Sequence, residues 1–170
     1  MDKKLLLGIS VVAFLFIAAT ALVAVHADTG GKKQANISAA DLMPDIEVFP
    51  EHWLKGETGV NVVLDGVTLL QFNYYTGTGA NLTVNIAVCD TVETAKGAFD
   101  LRKDAQPVTS VDNEFEQCFT YMMGGDTLFA FQDQNIYGML SSWNTGTPLT
   151  EAELDEVMLN IKEKILNALK

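Results

Sequence analysis

The sequence predicts an α+β domain, built on an antiparallel sheet and carried behind a single N-terminal apolar helix. Three observations carry that expectation. They are an uncharged apolar run over residues 5–25, several segments of period-two alternation separated by glycine-containing turns, and two helical periods that interrupt and then close the strand series.

The apolar run comes first. Met1-Asp2-Lys3-Lys4 precedes it, and Ser10 and Thr20 are its only polar side chains. At about 1.5 Å per residue it makes a helix of roughly 31 Å, enough to cross the hydrocarbon core of a bilayer. Lys3 and Lys4 lie on its N-terminal side, so the positive-inside rule puts the short N-terminus in the cytoplasm and everything after Ala27 outside. Val25-His26-Ala27 also fits a small-residue cleavage site before Asp28, which leaves two readings of residues 1–27 open. The run is longer than the core of an ordinary signal peptide, which favours a retained single-pass anchor over a protein secreted after cleavage behind Ala27.

Residues 28–40 are rich in Gly, Lys, Ala, Asn and Ser without an apolar period, and they read as a flexible tether. Residues 41–170 are one domain's worth of chain, enough for a single hydrophobic core. Within them, 67–75 and 82–88 alternate, with Leu70, Phe72 and Tyr74 expected to share a face with Leu82, Val84, Ile86 and Val88. Thr76 to Asn81 supply turn residues, so this pair reads as a β-hairpin. A helix follows, with Asp90 as its expected cap, Glu93 in the reciprocal position, and Val92, Ala95 and Phe99 on one stripe. Segments 115–123, 127–132 and 136–143 then form a three-stranded meander around Gly124-Gly125-Asp126 and Asp133-Gln134-Asn135. The C-terminal helix has the fullest signature. Thr150 and Glu153 make a capping box, Leu149 and Leu154 stand at the hydrophobic-staple positions, and Val157, Met158, Ile161 and Ile165 follow the helical period.

The region from Asp41-Leu42-Met43-Pro44 through Phe49-Pro50-Glu51-His52-Trp53, followed by hairpin, helix and final helix, resembles small exported archaeal domains of unknown function. Their layout is similar to the PsbP-like α/β/α sandwich. The resemblance implies that architecture for the exported part and brings no catalytic residue set with it.

The charge balance is 22 Asp plus Glu against 11 Lys plus Arg, for a net charge of −11. Such a surface repels phosphate backbones, so nucleic acid is not an expected partner. Catalytic constellations are thin. Setting aside His26 at the end of the apolar run leaves His52 as the base of any hydrolytic site, and neither Ser110 nor Ser141-Ser142 stands in a nucleophile-elbow pattern. The carboxylates lack the spacing of a calcium loop and the two cysteines form no C-x-x-C pair, so no metal or cofactor is expected.

Alternation turns Cys89 away from the Leu82 to Val88 face and turns Cys118 away from Phe115, Phe119, Tyr121 and Met123. In an exported domain this parity suggests one Cys89–Cys118 disulfide, the alternative being two thiols that never meet. Asn36-Ile37-Ser38 and Asn81-Leu82-Thr83 are N-glycosylation sequons, the first in the tether and the second in the expected hairpin turn. Trp53, Tyr75, Tyr137 and Trp143 are candidate interface anchors if they are not core, with Tyr75 expected to be the most exposed because it shares its strand face with Gln71 and Asn73. Together these features point to a membrane-tethered extracytoplasmic binding or interaction module without an enzymatic role, whose protein or small-molecule partner the sequence does not name. A structural accessory subunit of an envelope or membrane complex is the alternative, followed by a hydrolytic enzyme using His52.

Overall fold

The computed structural model describes residues 35–61, 67–77, 79–104, 109–110, 114–123, 126–144 and 149–170. The apolar run and most of the tether lie outside the described residues. The domain is a seven-stranded antiparallel sheet with helices on both faces. A short helix α1 (Ala39–Leu42) and a 3₁₀ turn (Ile46–Val48) lead into β1 (Leu54–Asn61), and the hairpin β2 (Val67–Thr76) and β3 (Ala80–Cys89) follows. Helix α2 (Val92–Asp104) connects to β4 (Thr109–Ser110), then β5 (Gln117–Met123), β6 (Asp126–Asp133) and β7 (Ile136–Asn144), and α3 (Glu151–Ala168) closes the chain.

The strand order is β1-β2-β3-β7-β6-β5-β4. The meander therefore folds inward from its own edge, and its last strand zips onto the hairpin through Val88 opposite Ile136 and Ala80 opposite Asn144. This confirms the expected hairpin, helix, meander and C-terminal helix.

The core explains the element choices. One face of the sheet carries Leu82, Val84, Ile86 and Val88 of β3, Phe129 and Phe131 of β6, and Ile136 and Leu140 of β7. Against it lie Val157, Met158, Ile161 and Ile165 of α3, together with Ala39, Leu42, Met43, Phe49 and Trp53 from the segment before β1. Gly138 is required here, because a Cβ at that position would sit inside the Phe131 ring that lies across it. The opposite face buries Ala87, Phe119, Tyr121, Leu128, Ala130, Tyr137 and Met139 together with Val92, Ala95 and Phe99 of α2. The Phe99 and Phe119 rings meet there at 5.1 Å. With both faces covered, the strands are apolar on both sides, which is the reason period-two readings of single strands disagree about which face is the core.

Three local expectations are corrected. The hairpin register sets Tyr75 opposite Leu82 and Tyr74 opposite Thr83, so positions 70, 72 and 74 fall on the other face from Leu82, Val84, Ile86 and Val88. The cap of α2 is Thr91, whose Oγ1 accepts the Thr94 backbone N–H at 3.0 Å, and not Asp90 with Glu93. Thr91 takes the role by position, since it immediately precedes the first helical residue Val92, and its Oγ1 also bonds Thr94 Oγ1 at 2.9 Å. The third is the disulfide. Cys89 and Cys118 stand on β3 and β5, with β7 and β6 between them. Three interstrand steps of about 4.8 Å separate their backbones by roughly 14 Å, against a limit near 7 Å for a bridge. They also lie on opposite faces, since Cys118 is opposite Phe131, which is opposite Gly138, which is opposite Ile86, three residues from Cys89 and of the other parity. No disulfide joins them.

Candidate functional site: the two ends of the sheet

The antiparallel order gathers the turns at two ends of the sheet, and the two ends differ in chemistry. At one end are the β6–β7 turn, the last residue of β3 and the first residue of β5. Gln134 occupies that turn with φ +52°, an uncommon value for a residue with a Cβ. Hydrogen bonds around it hold the turn in place. The Gln134 side chain donates to Glu116 Oε1 at 2.6 Å, its backbone N–H donates to Glu116 Oε2 at 3.3 Å, and Gln132 Nε2 donates to the Gln134 carbonyl at 2.6 Å.

Asn135, the next residue, is buried and ties three segments together. Its Oδ1 accepts the Ala35 N–H at 2.8 Å, and its Nδ2 donates to the Ala35 carbonyl at 3.3 Å and to the Cys89 carbonyl at 2.9 Å. Its backbone carbonyl accepts the Cys89 N–H at 2.8 Å. This amide therefore pins Ala35 to the β6–β7 turn and to the end of β3. Beside it Lys162 of α3 pairs with the buried Asp133 and stands 5.7 Å from the centre of the Phe115 ring.

Lys164 and Asn160 complete the junction on the α3 side. Lys164 Nζ donates to the Met43 carbonyl at 2.6 Å and to Asp45 at 2.8 Å, and Asn160 Nδ2 donates to Asp45 Oδ2 at 3.3 Å. The Lys164 ammonium beside Asp45 holds that carboxyl below its usual range.

The other end holds the β2–β3 turn, the start of β1, the β5–β6 connection and the N-terminus of α3. Gly79 takes φ +73° in the hairpin turn, and the Gly77 N–H donates to the Ala80 carbonyl at 2.9 Å. Gly77 also makes room for Trp53, since a Cβ there would lie 2.6 Å from Trp53 Cε2. Two large apolar side chains stand in solvent at this end, Leu54 at 67% and Met122 at 74% exposure. His52 is exposed nearby, and the Glu153 carboxylate that feels its charge is committed to the capping box. It accepts the Thr150 N–H at 2.7 Å and the Thr150 hydroxyl at 2.8 Å, which lowers the Glu153 pKa.

Three of the four expected aromatic anchors are core. Tyr75 is fully buried, stacks on Phe49 at 4.3 Å and donates its hydroxyl to the Pro44 carbonyl at 2.7 Å. Trp53 is buried against the same Phe49 ring at 5.7 Å. Tyr137 is buried beneath α2, where loss of water pushes its hydroxyl up to about 12 and pushes the neighbouring Cys89 thiol up to about 12. The Trp143 side chain lies outside the described residues. Of the sequons, Asn36 is exposed, whereas Asn81 is half-buried inside β3 and paired on both sides, and not in a turn. The sequence reading missed Asn135 and Leu54. An asparagine in a turn and a leucine beside a tryptophan carry no special pattern, and only the topology gives them their places.

Neither a family model nor a curated protein sequence matches the chain. A crystal structure of the extracellular domain of PknH from Mycobacterium tuberculosis is similar, with a TM-score of 0.48 and 7% sequence identity over 77% of this chain and 92% of that chain.

Proposed function

We propose that the protein is a membrane-tethered, non-enzymatic interaction module on the outer side of the cytoplasmic membrane, presenting the end of its sheet that carries Leu54 and Met122. The carrying observation is the polarity of the sheet. The Ala35–Asn135 clamp lies at one end, and the exposed Leu54 and Met122 stand at the opposite end. Along a ten-residue strand such as β3, those ends are roughly 30 Å apart at about 3.3 Å per residue. Isolated exposed leucines are common on protein surfaces, but the two largest apolar exposures among the described residues both stand at this end, Leu54 on β1 and Met122 five strands away on β5, and they suit a partner broad enough to cover the end of the sheet. The apolar run at 5–25 and its preceding lysines supply the anchor and its orientation. The exposed His52 and the committed Glu153 favour an interaction role over hydrolysis.

The test uses the full chain in its own membranes, with a photo-crosslinking residue placed at position 54, 122 or 114. Positions 54 and 122 are expected to crosslink to one common partner, and position 114, exposed at the clamp end, is expected not to. Crosslinking from 114 alone, or equally from all three, would remove the end-on presentation.

A further inference from the structure

We infer that folding turns a sequence with two N-glycosylation sequons into a domain with one acceptor, Asn36. The sequons are chemically equivalent, Asn36-Ile37-Ser38 and Asn81-Leu82-Thr83, and the fold makes them unequal. Asn36 is exposed next to the clamped Ala35, Ile37 turns inward to pack on the core, and Ser38 is exposed in extended backbone at φ −80°, ψ 149°. The acceptor amide and its hydroxyl partner therefore face water together. The Ser38 hydroxyl caps α1, accepting the Asp41 N–H at 3.3 Å and donating to the Asp41 carboxylate at 2.7 Å, so the transferase has to release one exposed cap on a four-residue helix and no sheet ladder.

Asn81 has the opposite setting. It lies in β3 with Thr76 on one side and Trp143 on the other, so both edges of its backbone are laddered. Its sequon partner Thr83 is 7% exposed, and Leu82 between them is 2% exposed and part of the core. An enzyme that must grip an extended acceptor segment cannot take this one without opening the sheet.

The donor is a lipid-linked oligosaccharide phosphate. The Asn36 Nδ2 forms a bond to the anomeric carbon, the bond from that carbon to the lipid phosphate oxygen breaks with its electron pair leaving on the phosphate, and one amide proton passes to the enzyme's base. A glycan at Asn36 stands two residues before the N-cap of α1. It shields the chain beside it, so protease cleavage within residues 28–34 is expected to slow several-fold.

The deciding experiment presents the purified, folded full chain to an oligosaccharyltransferase with lipid-linked oligosaccharide and maps the product by peptide mass spectrometry. A synthetic peptide of residues 77–87 runs alongside. The expected result is modification of Asn36 in the chain, none at Asn81, loss of all modification in Asn36→Gln, and modification of the free peptide. Glycan on Asn81 of the folded chain, an unmodified Asn36, or a silent peptide would each overturn selection by the fold. Because this assay needs no membrane, it stands or falls independently of the proposed outward placement, which is tested by whether the protein taken from its own membranes carries the same glycan.

Discussion

Asn135 shows how much one side chain can decide. Truncating it leaves the Ala35 N–H and the Cys89 carbonyl without their partner in a buried setting, and each such orphan costs about 1–3 kcal/mol. Asn135→Ala is therefore expected to lower the unfolding free energy by about 2–6 kcal/mol in urea titration. Amide exchange at residues 35–38 should accelerate more than exchange in β3, and a loss below about 0.5 kcal/mol would mean that the clamp is not closed in solution. Burial has a second consequence at this scale, on the opposite face of the sheet. Cys89 and Tyr137 hold their protons to about 12 in the fold, against ordinary values of 9.0 and 10.0. Acids whose folded pKa is raised stabilise the fold below their unfolded pKa, and that stability is lost as pH rises through the window from about 9 to about 12. Alkaline unfolding followed by circular dichroism should begin in that window, and Tyr137→Phe should flatten its slope. A slope unchanged by the substitution would show that Tyr137 ionises freely in the folded protein.

The elements were legible to different degrees, and the reason lies in how local their determinants are. Helix α3 was read in full, since a capping box, a staple and a 3.6-residue stripe all lie within one stretch of chain. The structure has the box closed, Leu149 and Leu154 packed on the core, and Val157, Met158, Ile161 and Ile165 buried. Thr150→Ala should cost about 1 kcal/mol and Ile161→Ala about 2–5, whereas the half-exposed Leu159 should tolerate alanine within about 0.5. A neutral Ile161→Ala would unseat α3 from the sheet. The depressed Glu153 carboxyl adds a pH signature. Its contribution is complete above its ordinary value of 4.5 and disappears as pH falls through the lowered pKa, so the difference between Thr150→Ala and wild type should shrink under acid. The strands were found, but their faces were not. Alternation shows that β3 and β5 each have two sides, and nothing local says that the apolar side of β5, with Phe119 and Tyr121, packs under α2 while that of β3 packs under α3. That single ambiguity produced both the Cys89–Cys118 bridge and the expectation of an exposed Tyr75.

Across the whole molecule, the order β1-β2-β3-β7-β6-β5-β4 is a non-local fact that no window of sequence contains, and the placing of the Ala35 clamp at one end of the sheet and of Leu54 and Met122 at the other depends on it. One consequence can be measured directly. Because Asn135 grips Ala35, the boundary between digestible tether and protected domain should fall at that residue and not at the first helix. Protease added outside intact spheroplasts is expected to cut within residues 28–34 and release a single fragment beginning close to Ala35. Asn135→Ala should move the cut inward, toward the start of α1 at Ala39. Non-reducing maps of the fragment should contain no peptide joining Cys89 to Cys118, since the sheet keeps the two apart on opposite faces. A domain untouched until the membrane is opened would reverse the orientation inferred from Lys3 and Lys4. A wild-type boundary already at Ala39 would leave the orientation intact and show instead that the clamp does not hold the incoming chain.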